Sequence, residues 1–220
     1  MIAKETMTFL KSLGKNNNRD WLQAHKPDFE AAKADFESCV SDLIGRISKF
    51  DPAVGGLLAE SCIFRIYRDI RFSKDKKPYK SNFGAYISPG GRKSLSPGYY
   101  LHIEPGHSFL AVGKHNPDSG ELLRIRKAIV ADTSGYIKIV NAKAFNKCFG
   151  EIHGERLKSV PRGFPADHKA AEHLKLKSLM AFIEIPDDKF ATGKAFPTFI
   201  ASSCKQAKPL VDFLRKALGS

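Results

Sequence analysis

Seven cationic side chains and two tyrosines crowd into sixteen residues, Arg65 to Lys80. A guanidinium fork matches phosphate or carboxylate oxygens in pairs, an ammonium adds a point charge, and a tyrosine donates a hydrogen bond or stacks on a base. These residue types at this density point to anion capture by Arg65, Tyr67, Arg68, Arg71, Lys74, Lys76, Lys77, Tyr79 and Lys80. Between Arg65 and Lys93, nine Lys or Arg stand against Asp69 and Asp75, a net of +7 in 29 residues of a chain whose total is +13. A field of one sign extends roughly a Debye length, about 10 Å, into solvent and raises the encounter rate with negative partners. The competing reading is a charged strand edge that deters aggregation, with Asp69 and Asp75 pairing locally to Arg71 and Lys77.

Other chemistries are less well supplied. Gly90-Gly91-Arg92-Lys93-Ser94 has the residue types of a phosphate loop but neither its spacing nor its strand-to-helix setting, and no G-x-G-x-x-G supports a dinucleotide site. His102 and Glu104 share a strand face and, with Asp69, are the candidate acid–base groups. Zinc deaminases use such an H-x-E pair together with P-C-x-x-C, which this chain lacks, so neither a metal nor a cofactor is expected. Cys39, Cys62, Cys148 and Cys204 are far apart and read as reduced core residues. Cys62 adjoins the basic stretch, yet its place on an apolar face argues for burial and inertness.

The elements that must position these groups follow from periodicity. Ile2, Thr6, Phe9, Leu10 and Leu13 predict a helix ended by Gly14, and Asn16-Asn17-Asn18 supplies a cap for a short turn with Trp21 and Leu22. Pro27 opens a long helix with Phe29, Phe36, Val40, Leu43, Ile47 and Phe50 on one face, closing by Asp51-Pro52. Residues 62–72 alternate as a strand, with Arg68 on the apolar side unless a bulge near Arg68-Asp69 re-aims it. Residues 72–80 read as the exposed loop after it, and 81–88 as a second strand. Tyr99–Glu104 and Ser108–Val112 predict a hairpin on a type II turn at Pro105-Gly106. Ser119 caps a helix through Val130; shorter helices cover 142–148 and 166–175, a late strand 179–185, and a last helix ends at Leu218. The sum is α+β: an antiparallel sheet of about five strands, helices packed mainly on one side, and long N-terminal and C-terminal helices.

With 220 residues and 42% hydrophobic content, the chain reads as a single domain over 1–220. No run of eighteen apolar residues and no export signal are present, which predicts a cytoplasmic protein with no membrane contact.

Asn16-Asn17-Asn18-Arg-Asp-Trp21 with His25-Lys26, the stretch Arg65 to Lys80 with Phe83-Gly84, and Pro161-Arg-Gly-Phe164 together resemble the widespread uncharacterised family catalogued as domain of unknown function 2461. The similarity extends from about Phe9 to Leu218, although Leu22 follows Trp21 where relatives are expected to carry an aromatic residue. The resemblance implies one intracellular domain recurring as a stand-alone protein, and carries no reaction, substrate or cofactor. Three readings stay open: a phosphate-directed binding domain, with nucleic acid or a phosphorylated ligand as partner; an enzyme clamping an anionic small molecule with its arginines and using Asp69, His102 or Glu104 as acid or base; and a structural or interaction protein whose charge serves solubility. Oligomeric state is not legible.

Overall fold

The computed structural model describes residues 2–193 and 195–220. Helices α1 (Lys4–Lys15), α2 (Arg19–Ala24), α3 (Lys26–Ile47) and the single turn α4 (Ala59–Cys62) precede strands β1 (Phe83–Ile87), β2 (Gly98–Ile103) and β3 (Ser108–Lys114). Helices α5 (Ser119–Ala131), α6 (Thr133–Val140), α7 (Lys143–Phe149) and α8 (Ala171–Leu174) follow, then β4 (Leu179–Ile185) and α9 (Ala195–Leu218). The fold is α+β, with one antiparallel sheet in the order β1-β2-β3-β4.

Among the described residues that sheet has four strands, not about five, because the expected strand over 62–72 does not form. It contributes only isolated antiparallel pairs, Ile63 with Ala85 and Tyr67 with Tyr79. Between those pairs lie three residues on one side (64–66) and five on the other (80–84), so two residues must leave the ladder. They are Ser81 and Asn82, which bend away just before β1. The bulge thus sits opposite Arg65, not at Arg68-Asp69.

Smaller corrections have equally local causes. Gly14 lies inside α1, and Asn16 ends that helix by donating its side-chain amide to the Ser12 carbonyl at 3.0 Å. Asp118, not Ser119, caps α5: its carboxylate accepts from the Glu121 amide at 2.7 Å while Glu121 accepts from the Asp118 amide at 3.0 Å, a reciprocal box. The helix expected over 166–175 is confined to α8. The Pro105-Gly106 turn is as expected, with Gly106 at φ +79° and the His107 amide donating to the Glu104 carbonyl at 2.9 Å.

The chain packs as two compact units. The first holds residues up to Ser94, with Tyr100–Leu110 and Glu184–Ser202; the second holds Leu95–Tyr99, Ala111–Ile183 and Ser203–Ser220. In the first, α1 has no capping side chain of its own. Asp35 of α3 supplies one, accepting from the Ala3 amide at 2.8 Å and the buried Thr6 hydroxyl at 2.7 Å, so a carboxylate meets the positive end of the helix. Phe36 of α3, fully buried, stacks on Phe83 of β1 with ring centroids 5.3 Å apart. In the second unit the buried ammonium of Lys114 is held by Glu121 at 2.7 Å and by the Leu95 carbonyl at 2.5 Å. Cys39, Cys62 and Cys204 are buried, and burial pushes the Cys39 thiol up to about 11 and raises that of Cys62. No helix among the described residues is long and apolar enough to cross a membrane.

Strands β1 and β2 approach closely at Gly84. A Cβ on Gly84 would lie 2.5 Å from the Tyr100 hydroxyl and 3.1 Å from the ring carbon that bears it. Gly84→Ala is expected to destabilise by about 1–3 kcal/mol, the usual cost of overpacking. Tyr100→Phe in the same chain should recover part of that loss, because the hydroxyl is the nearest obstacle. Denaturant unfolding of the two single variants and the double variant checks both.

Candidate anion-binding hairpin

Residues 63–68 and 78–85 form an irregular hairpin whose connection is the loop 69–77. Its anchor comes from the segment between α1 and α2. The Asn17 side chain donates to the Tyr79 carbonyl at 2.9 Å and accepts from the Tyr79 amide at 3.0 Å, occupying the place a neighbouring strand would take. Asn18 caps α2 by accepting from the Trp21 amide at 2.9 Å. Trp21 in turn stacks on His25 with centroids 4.1 Å apart and packs near Phe9.

Within the loop, two arginines are already spoken for. Arg71 makes a forked pair with Asp69, Nε to Oδ1 at 2.9 Å and Nη2 to Oδ2 at 2.7 Å. Arg68 reaches Asp75 at 2.6 Å and the Lys77 carbonyl at 3.2 Å, so Asp75 pairs with Arg68 instead of Lys77. Hydrogen bonds from Arg71 hold the Asp69 carboxyl below the usual carboxylate range, and those from Arg68 and the Lys77 amide do the same for Asp75. Both oxygens of Asp69, a candidate acid or base, are thus engaged by Arg71. Lys76 donates to the Ile70 carbonyl at 3.2 Å, which leaves its charge uncompensated. The side chains of Arg65, Lys74 and Lys77 make no ion pair among the described residues. Lys80 lies 5.7 Å over the Phe64 ring; its proton affinity is lowered by burial, then by the charges of Arg65 and Arg68, which places three cations within reach of one another. Tyr79 is buried and packs edge-on against Tyr67 at 5.4 Å. Tyr67 is 53% exposed and Phe72, at the loop tip, 95%.

A cleft of about 890 Å³ in the first unit is lined by Arg65 and Tyr67, by α3 residues, and by Glu60, Arg92 and Lys93. His102 and Glu104 are not part of it. They belong to a separate chain of hydrogen bonds on β2 and just past its end, where the Tyr100 hydroxyl meets His102 Nδ1 at 3.1 Å and His102 Nε2 meets Glu104 at 3.1 Å. Ser81 donates to the other Glu104 oxygen at 2.8 Å, and the His102 ring lies flat on Phe109 at 4.6 Å. Both ring nitrogens are engaged, so His102 offers no lone pair to a metal without breaking the chain. Burial, and then the Glu104 charge, raises the Tyr100 phenol, which keeps it protonated. Among the described residues no group of three His, Cys, Asp or Glu is arranged to hold a metal. Sequence reasoning missed Asn17, Ser81 and Tyr100. The Asn triplet was the available signal for the first, whereas nothing local marks the other two.

Two outcomes follow from this geometry. Asn17→Ala leaves the Tyr79 amide and carbonyl without their partner and should cost about 1–3 kcal/mol in denaturant unfolding. Because both loop aspartates have folded proton affinities below the unfolded value of about 3.9, their pairs are intact above that pH and are lost as pH falls through the depressed values. The guanidinium resonances of Arg68 and Arg71 should therefore shift only below about pH 4 in an NMR titration.

No curated protein and no solved structure matches the chain. A family model matches residues 5–213, a span that takes in the Asn triplet, the basic hairpin and the Pro161-Arg-Gly-Phe164 turn, and the chain thus belongs to the family described as Conserved hypothetical protein (DUF2461).

Proposed function

We propose that the chain is a phosphate-directed binding domain whose ligand is single-stranded nucleic acid, contacted through the hairpin of residues 65–80. The observation that carries this reading is the company kept by the unpaired cations. Arg65, Lys74 and Lys77, which make no ion pair among the described residues, share one hairpin with Tyr67 and Phe72, two of its exposed aromatic rings. Phe72, 95% exposed at the loop tip, buries little of its ring, which has the Arg71 guanidinium 5.9 Å from its centroid. It is well placed to stack on a base, and bases present their faces only when unpaired. Lysines and arginines tracking a backbone beside such a platform are the usual division of labour between charge and stacking.

The two internal ion pairs set the expected size of the electrostatic contribution. Arg68 and Arg71 are occupied and Lys80 is half-buried over the Phe64 ring, which leaves Arg65, Lys74, Lys76 and Lys77 for phosphates. At about 0.7 to 0.9 log units per phosphate, the slope of log affinity against log salt should be about 3, and not the 5 to 6 that seven free cations would give. Fluorescence anisotropy of a labelled oligothymidylate over a salt series measures it. Phe72→Ala should weaken binding by about 1–3 kcal/mol with the slope unchanged, since stacking releases no counterion. Asp69→Asn with Asp75→Asn frees both guanidiniums and should tighten binding and steepen the slope. Absence of salt-sensitive binding at low ionic strength sinks the proposal.

A further inference from the structure

The backbone of residues 64–68 is bonded along one side only, whereas at Ile63 the amide on the other side is already taken by the Ala59 carbonyl at 3.1 Å. The Phe64 amide donates to the Gly84 carbonyl at 2.9 Å, the Lys80 amide to the Ile66 carbonyl at 2.8 Å, and the Arg68 amide to the Pro78 carbonyl at 2.9 Å. Successive residues of an extended chain aim their amides and carbonyls to opposite sides, so those of Arg65 and Tyr67 point away from this partner. Among the described residues, neither the backbone amide nor the carbonyl of Arg65 or Tyr67 has a hydrogen-bond partner.

That unbonded side meets the cleft of about 890 Å³. Ile63, Phe64, Arg65, Ile66 and Tyr67 line it in unbroken succession. Side chains alternate between faces along an extended segment, so five consecutive residues can form one wall only if the wall is the backbone edge itself. The lining also includes α3, with Phe29 contributing apolar surface and Glu30, Lys33 and Glu37 charge, Lys33 being paired to Glu37 at 3.4 Å. At about 3.3 Å per residue the edge offers about 17 Å, room for five residues of a second extended chain.

We infer that this edge accepts an extended segment of a partner protein as an added strand, with the pattern apolar-x-acid-x-apolar. Ile63, Arg65 and Tyr67 lie on one face at alternate positions, and residues directly opposite in a strand pair interact most strongly. An acidic residue therefore belongs opposite Arg65, with apolar residues opposite Ile63 and Tyr67; the pattern is symmetric and holds for either strand direction. The lining cations Lys33, Arg65, Arg92 and Lys93 outnumber the carboxylates Glu30, Glu37 and Glu60 by one, which favours the same acid. A second copy of this chain paired in register about Arg65 would set arginine against arginine, which disfavours it as occupant. Strand addition draws affinity from main-chain bonds and specificity from alternate side chains, and both are supplied here. The inference is independent of the nucleic-acid reading.

The test uses a capped, fluorophore-labelled peptide, Thr-Ser-Val-Thr-Glu-Thr-Val-Ser-Thr, titrated with the full chain. Saturable binding is expected. Replacing its Glu by Lys, or methylating the alternate backbone nitrogens that would face the edge, should weaken it at least about tenfold. Arg65→Glu, an exposed substitution, should invert the preference so that the Lys peptide binds better than the Glu peptide; that gain also shows the variant is folded. No saturation at millimolar peptide, equal binding of the methylated peptide, or sedimentation showing that the chain dimerises through Arg65 would each overturn the inference. Oligothymidylate binding is measured on the same preparations. Intact oligonucleotide binding without peptide binding overturns strand addition and leaves the nucleic-acid reading standing.

Discussion

The basic hairpin depends on a side chain 62 positions away from the residue it holds. The amide of Asn17 reproduces the donor and acceptor of a peptide unit against Tyr79, on the outer edge of the Tyr67 and Tyr79 pair and two residues before the hairpin's own ladder breaks. Without that substitute strand, the two-residue bulge at Ser81-Asn82 would leave the cationic segment tethered by few bonds. Asn16 and Asn18 finish α1 and start α2 on either side, so three identical residues in a row perform three different backbone tasks. The Asn triplet and the cationic stretch, far apart in the chain, are one structural unit.

Concentrating like charges works against folding, and the loop answers with two aspartates placed within it. Asp69 and Asp75 engage Arg71 and Arg68 through exposed pairs that contribute little stability each but fix where the loop goes. The remaining cations stay uncompensated. Conformation and ligand attraction are thereby assigned to different members of the same cluster, and Lys80 has its hold on its proton loosened first by burial and then by Arg65 and Arg68.

Much of the architecture was legible because it rests on local signals. The late strand over 179–185, the long helix opening at Pro27 and the Pro105-Gly106 turn each carry a periodicity or a residue with few conformational choices. The failed strand over 62–72 shows where such signals end: its alternation is real, but pairing depends on register with 78–85, and the break lies in Ser81 and Asn82, which read as unremarkable strand residues. Arg71 meeting Asp69 was readable from their spacing of two. Arg68 meeting Asp75 was not, because that contact spans the loop and exists only once the hairpin has closed. The Tyr100 hydroxyl joined the His102 and Glu104 pair by the same period of two that linked the other two, but a tyrosine carries no charge to draw attention to it.

The buried contact between Lys114 and Glu121 has an evolutionary corollary. The ammonium is almost wholly enclosed and the carboxylate nearly so, with the same carboxylate completing the start of α5. Loss of either partner strands a charge away from water, whereas exchange of both for apolar residues of similar volume removes the burden together. Drift at these two sites is therefore coupled: lineages should change them as a pair or leave both alone, and whichever chain loses the glutamate must also find another way to begin that helix.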